Sequence, residues 1–187
     1  MDPDEDLLAR SAREPTAFEP LVARHSAALH GYLVRRAPAA ADDLLSEVWL
    51  QAYAHRATFD AARGSARGWL FGVARNVLSR HRQTAARAAA REEQQPDAVT
   101  ADPWQAVDQR LDAASVAPEL RRRLAELPFA ERELLLLVAW EQLTPAEAAA
   151  AVGIPAGTAR SRLHRARARL RDGLPGSART TLTGDFA

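Results

Sequence analysis

The chain of 187 residues contains no cysteine and no lysine. Without thiols it holds no disulfide, no zinc–thiolate centre and no thiol nucleophile. All 25 basic residues are arginine, so a P-loop lysine, a Schiff-base lysine and a Ser-Lys dyad are excluded as well. Aromatic residues are sparse at 6%. No apolar run approaches the ~18 residues that a membrane-spanning helix needs. The opening Met1-Asp2-Pro3-Asp4-Glu5-Asp6 is the opposite of a basic signal-peptide start, which makes the cytoplasm the expected location. G-x-S-x-G, H-E-x-x-H, G-x-G-x-x-G and Walker sequences are missing too, and the five histidines are scattered. No enzyme activity, cofactor or metal is therefore expected.

What is present is an apolar fraction of 47%, enough for packed cores, and a net charge of +1 that hides strong asymmetry. Residues 60–82 hold five Arg against one Asp, whereas 83–119 hold three Arg against seven acids. Two basic patches separated by an acidic stretch point to two separate nucleic-acid contacts.

The second patch is the more informative. From Thr158 to Arg171 there are six arginines (160, 162, 165, 167, 169 and 171) and no acid. At about 100° per residue, Ala159, Leu163, Ala166 and Leu170 share one narrow apolar stripe. The opposite side carries Gly157, Ser161, His164, Arg165 and Ala168, with arginines on both flanks. Small residues let the backbone approach and arginines grip both rims, a layout that suits a helix in a DNA major groove. A solvated surface helix would intersperse its signs.

Upstream, Thr144-Pro145-Ala146-Glu147 supplies an N-cap, a proline at the first helical position and a capping-box glutamate. The short helix that it opens ends before the turn glycine Gly153, and the arginine helix follows. Short helix, glycine turn and second helix make a helix-turn-helix signature. Before it, helices are expected at 119–127, ending at Pro128, and at 130–142 around Leu134, Leu135, Leu137, Val138 and Trp140.

In the first half, Thr16 and Glu19 have capping-box spacing. The helix behind them presents Phe18, Leu21, Val22, His25, Leu29, Tyr32 and Leu33 on one face and closes at Pro38. A second helix at about 40–57 buries Leu45, Val48, Trp49 and Ala52, and shows Asp43, Glu47, Leu50 and Ala54 outward. An exposed leucine between two acids marks a protein partner. A third helix, at about 66–83 with Ser65 as N-cap, buries Trp69, Leu70, Val73, Ala74, Val77 and Leu78. It leaves Arg67, Arg75, Asn76, Arg80 and Arg82 outside. The expected fold is all-α: two small helical domains joined by a flexible linker, the second a helix-turn-helix. The expected boundaries are an acidic tail at 1–15, a first domain at 16–82, a linker at 83–117, a second domain at 118–171 and a tail at 172–187. The ~35-residue linker can span many tens of ångströms, which allows the domains to occupy separate sites.

Several of these residues are shared with a known family. Leu127-Pro128-Phe129-Ala130-Glu131-Arg132-Glu133, Leu143-Thr144-Pro145-Ala146-Glu147 and the stretch from Gly153 to Arg167 resemble the C-terminal DNA-binding domain of bacterial RNA polymerase sigma factors. Asp43-Leu44-Leu45-Ser46-Glu47-Val48-Trp49, Phe59-Asp60 and Trp69-Leu70-Phe71-Gly72-Val73-Ala74-Arg75-Asn76 resemble their promoter-melting domain. Their order, with no room for a domain between them, is the layout of the extracytoplasmic-function (ECF) group.

The resemblance implies a non-catalytic specificity subunit of core RNA polymerase. Its first domain would dock on the β′ clamp helices through Asp43, Glu47 and Leu50, and its second would lie near the β flap. The −10 element of promoter DNA would be taken as single strand by Arg63, Ser65, Arg67, Asn76 and Arg80, with the loop from Phe59 to Arg67 receiving a flipped base. Thr158, Arg160, Ser161, Arg162, His164 and Arg165 would read the −35 element as duplex. The family usually has Gln where this chain has Ser46, and often Val where it has Ala159. A separate anti-sigma factor is an expected partner. The competing reading is a helix-turn-helix regulator that needs no polymerase. Such proteins pair the motif with a strand-containing receiver or ligand-binding domain, and no strand-like alternation is present here.

Overall fold

The computed structural model describes residues 2–92 and 117–171. Among them all regular structure is helical, in eight α-helices with short 3₁₀ turns between them. The first unit contains α1 (Asp4–Ser11), α2 (Glu19–Val34), α3 (Ala41–His55) and α4 (Ala66–Glu92). The second contains α5 (Ala117–Glu126), α6 (Phe129–Ala139), α7 (Pro145–Val152) and α8 (Ala156–Arg171).

The segment expected as an acidic tail is instead a docked helix. Asp4, Glu5 and Asp6 occupy its first turn, where the helix dipole favours negative charge, and Leu7 and Leu8 are buried. Asp4 accepts a bond from Arg24 at 2.5 Å and pairs with the His25 ring nitrogen at 2.5 Å. Burial alone would raise the Asp4 pKa, but the hydrogen bonds from Arg24 and His25 outweigh it and hold the carboxyl below its usual range. Glu5 Oε1 accepts from the backbone N–H of Ala66 at 2.9 Å and so helps to cap α4.

Two further expectations shift. The Thr16–Glu19 capping box does not form: Pro15–Phe18 is a 3₁₀ turn, and the Thr16 hydroxyl points back to Glu14. Helix α4 continues nine residues beyond 83, to Glu92, through a run of alanines and arginines with high helix propensity. The rest of the expected linker, with Trp104, and the C-terminal tail lie outside the described residues.

The core of the first unit is built from Phe18, Leu21, Leu29, Tyr32 and Leu33 of its first half, Leu44, Val48 and Ala52 of α3, and Leu70, Phe71, Ala74, Val77 and Leu78 of α4. Leu45, Trp49, Trp69 and Val73, expected inside, are only partly buried at its edge. Trp49 sits there because its indole N–H donates to Ser26 Oγ at 3.1 Å. Phe71 takes the interior place instead, edge-to-face on Tyr32 at 5.6 Å.

In the second unit the arginine helix buries Ala159, Leu163, Ala166 and Leu170, the stripe read from its spacing. Thr144 and Glu147 form the full capping box, and Gly153 closes α7 in the left-handed conformation at φ 73°. Helix α6 is covered all round: every residue from Glu131 to Val138 is buried. A helix with no exposed face needs neighbours on every side. Here α7 and α8 cover much of it, and Arg75 of the first unit reaches Glu133 from another side.

Candidate nucleic-acid interface

The expected nucleic-acid residues fall on two surfaces. The first is the start of α4 and the loop before it; the second is the outer side of α8. Ser65 Oγ accepts the Gly68 N–H at 3.1 Å, which makes it the expected N-cap of α4. Phe59 and Trp69 stack edge-to-face at 5.8 Å and brace the loop between them. Arg63, Asn76 and Arg80 are exposed. Ser65 and Arg67, by contrast, are engaged with the second unit.

That engagement belongs to the most extensive helix–helix contact among the described residues, α4 against α7. The approach is close because both surfaces are small. A Cβ placed on Gly68 would stand 3.0 Å from the Glu147 carbonyl oxygen, and one on Gly72 would stand 3.4 Å from that of Ala151. Alanines 148, 149 and 151 fill the facing side of α7. Around this seam lies a ring of polar links. The Ser65 hydroxyl donates to Glu147 Oε1 at 3.0 Å. Arg67 donates to the carbonyls of Glu141, at 2.6 Å, and Gln142, at 3.0 Å. Arg75 Nε reaches Glu133 at 2.6 Å.

Deepest of all, Glu141 accepts from Arg36 at 3.0 Å, where both side chains are 1% exposed, and pairs with Arg35 as well. Burial works against ionisation of Glu147, but the bonds from Thr144, then from Ser65, with the charge of Arg67, keep its pKa below the usual carboxylate range. A cleft of about 730 Å³ opens at one end of the seam, between Thr58–Trp69 and the Gly153-Ile154-Pro155 turn.

The second surface is open. Arg160, Ser161, His164 and Arg165 are exposed, and Thr158 and Arg162 half-buried, along the side of α8 opposite its apolar stripe. Among the described residues, Glu131 of α6 reaches this side: it accepts from Arg165 Nε at 3.1 Å and from Arg169 Nη1 at 2.7 Å.

On α3, Asp43 is exposed and Leu50 is 67% exposed, the largest uncovered aliphatic side chain among the described residues. Glu47 is half-buried and accepts from Gln51 at 2.8 Å. The three share one face. Ser46, between them, donates its hydroxyl proton back to the Asp42 carbonyl at 3.1 Å, so it has no donor left to offer outward.

The acids that organise these surfaces, Glu131, Glu133 and Glu141, were not singled out by sequence reasoning. The available signal was Glu131-Arg132-Glu133 directly before the unbroken Leu134–Val138 run, which marks charges that must be buried with partners.

Comparison with known proteins agrees with this layout. The family model described as Sigma-70 region 2 matches residues 21–88, and Sigma-70, region 4 matches 118–170. The ECF RNA polymerase sigma factor RpoE of Cereibacter sphaeroides is 30% identical over 174 residues, covering 87% of this chain and 88% of that protein. The ECF RNA polymerase sigma factor SigM of Mycobacterium tuberculosis is 33% identical over 169 residues, covering 88% and 80%. Among solved structures, CnrH in complex with the cytosolic domain of CnrY aligns with a TM-score of 0.56 at 24% identity, over 98% of this chain and all of that one. The sigma factor RpoE in complex with the anti-sigma factor NepR from Bartonella quintana aligns at 0.56 and 21%, over 83% and 94%. The reading as a polymerase-independent regulator is not favoured, since the region beside the helix-turn-helix is a sigma region 2 unit. The chain belongs to the sigma-70 family, as an alternative sigma factor of the ECF group that binds RNA polymerase.

Proposed function

We propose that the chain directs core polymerase to a subset of promoters by a two-point grip. Thr158, Arg160, Ser161, Arg162, His164 and Arg165 read the −35 element as duplex, and Arg63, Ser65, Arg67, Asn76 and Arg80 hold the opened −10 strand. Asp43, Glu47 and Leu50 dock on the β′ clamp helices, and the second unit meets the β flap. The carrying observation is the outer side of α8: exposed Arg160, Ser161, His164 and Arg165 over a wholly buried aliphatic stripe. Exposed arginine, serine and histidine supply donors for base edges and phosphates at the spacing of a major groove.

The seam between α4 and α7 adds a condition. Ser65 and Arg67 hold groups of the second unit, so the −10 strand gains them only when the seam opens. Phe59 and Trp69 line the first unit's side of the cleft that the Gly153 turn now covers, and a flipped base would lodge against them once that turn has moved away. The protein works in the cytoplasm. A separate anti-sigma factor is a further partner, by analogy with the complex of RpoE and the anti-sigma factor NepR that shares its fold.

The test is transcription in vitro. Core polymerase with this chain initiates from a subset of genomic promoters, and Asp43→Arg abolishes its recovery with core enzyme in a pull-down. Tight operator binding without polymerase, or pull-down unaffected by Asp43→Arg, overturns the reading.

A further inference from the structure

Glu131 is a buried carboxylate on α6, outside the helix expected to enter the groove, yet it touches two arginines of that helix. Its oxygens are divided between them: Oε1 takes Arg165 Nε at 3.1 Å, and Oε2 takes Arg169 Nη1 at 2.7 Å. Arg165 and Arg169 are one turn apart, so a single anion can bridge them. Both side chains remain about half exposed, at 53% and 52%.

Which nitrogen is used matters. A guanidinium offers five N–H donors in a rigid plane, and a bidentate guanine contact can be made by its two Nη groups. Tying Arg165 at Nε leaves both Nη groups free and fixes the plane in which they project. We propose that Glu131 is a specificity-determining positioning residue for the −35 element. It orients Arg165 for bidentate readout of a guanine edge, and it fixes Arg169 against the adjoining phosphate. This rests on the reading of α8 as the −35 helix. The advantage is pre-organisation: a long side chain held in its bound geometry loses less freedom on binding. The carboxylate also sets an anion beside the DNA, so it costs general affinity while it raises selectivity.

That opposition gives a test that mere structural support would not pass. Full-length chain, assembled with core polymerase, selects from a duplex library randomised across the −35 hexamer. Arg165→Ala identifies the position that Arg165 reads. Glu131→Gln, with its thermal melt measured alongside, is expected to lower the base preference at that same position about tenfold, within the range of one bidentate contact. The other positions keep their preferences. Glu131→Gln added to Arg165→Ala has no further effect on that preference, because the two act as one unit in reading it. Binding of the free chain to a random-sequence duplex rises about two- to fivefold at low salt, as one repelling charge is gone. Should Glu131→Gln unfold the domain, Glu131→Asp withdraws the charge by one methylene and is expected to shift the same position.

An unchanged preference in Glu131→Gln overturns the proposal. So does a loss spread over every position with random-duplex binding falling in parallel. If α8 does not read the −35 element at all, Arg165→Ala is silent as well, which separates that failure from failure of the Glu131 role.

Discussion

The two arginine-rich surfaces, the start of α4 and the outer side of α8, differ in what faces them. On α4, Arg67 is held by the carbonyls of Glu141 and Gln142, and Arg75 by Glu133. On α8, Arg160 and Arg165 are open to solvent, with Glu131 holding Arg165, and Arg169 one turn on, from the side. Arginine content is similar and availability is not. What decides is the opposing backbone. Gly68 and Gly72 let α7 settle onto α4 within van der Waals range, and this brings acids within reach of the arginines. Among the described residues, no helix is packed that closely onto the polar side of α8. On the proposed reading, the −35 surface is therefore open in the free chain, whereas Ser65 and Arg67 of the −10 surface wait on separation of the two units.

Changes that break the seam should abolish this difference. The largest effect is expected from Glu141→Gln. It leaves Arg35 and Arg36 facing a neutral group in a site where Arg36 is 1% exposed. Removing one partner of a buried pair costs about 3–5 kcal/mol. The units can avoid most of that cost by separating, so a larger radius of gyration in solution scattering is expected, together with binding of a single-stranded −10 oligonucleotide about 100-fold tighter. Binding of duplex −35 DNA should stay as it was. Next is Gly68→Val, which drives a branched side chain against the Glu147 backbone. Overpacking of this kind costs about 1–3 kcal/mol, and the expected gain in oligonucleotide binding is about tenfold. An unchanged affinity would show that the seam does not limit the −10 surface.

Arg165→Ala sharpens the comparison from the other side. It should lower −35 discrimination by about 1–3 kcal/mol and leave the scattering profile unchanged. Arg169→Ala should weaken duplex binding more evenly and flatten its salt dependence. The smallest effect is that of pH. The Glu147 carboxyl is depressed below 4.5 in the folded chain, in part by Ser65 and Arg67 across the seam. Its contribution is complete above that value and is lost as pH falls through the lower folded value. Scattering at decreasing pH should show opening only in that acid range, and Ser65→Ala should move the onset upward.

How much of this was legible follows from which interactions are local. The buried stripe of α8, the Thr144–Glu147 capping box and the Gly153 turn depend on residues within a few positions of each other, and spacing alone revealed them. Helix α1 was missed because six acid-rich residues outweighed Leu7 and Leu8, whose burial depends on a distant surface. The seam was missed for the same reason, though two signals were present. Glycine inside a helix costs about 1 kcal/mol relative to alanine, so Gly68 and Gly72, four apart in α4, called for a close neighbour. Five apolar residues in a row from Leu134 to Val138 likewise called for a helix covered on every side. Of the candidate residues on α8 and α3, Asp43, Leu50, Arg160, Ser161, His164 and Arg165 are exposed as expected, while Glu47, Thr158 and Arg162 are half-buried; Glu131, Glu133 and Glu141 were not singled out, because each acts through a partner more than 30 positions away.

The most direct test is a distance across the seam. The chain has no cysteine, so Ser79→Cys and Ala146→Cys, at exposed positions of α4 and α7, place two spin labels without background. The free chain should give one short, narrow distance distribution. The same pair in a complex with core polymerase and promoter DNA should give a long one. A short distance in both states, or a long one already in the free chain, would contradict the account.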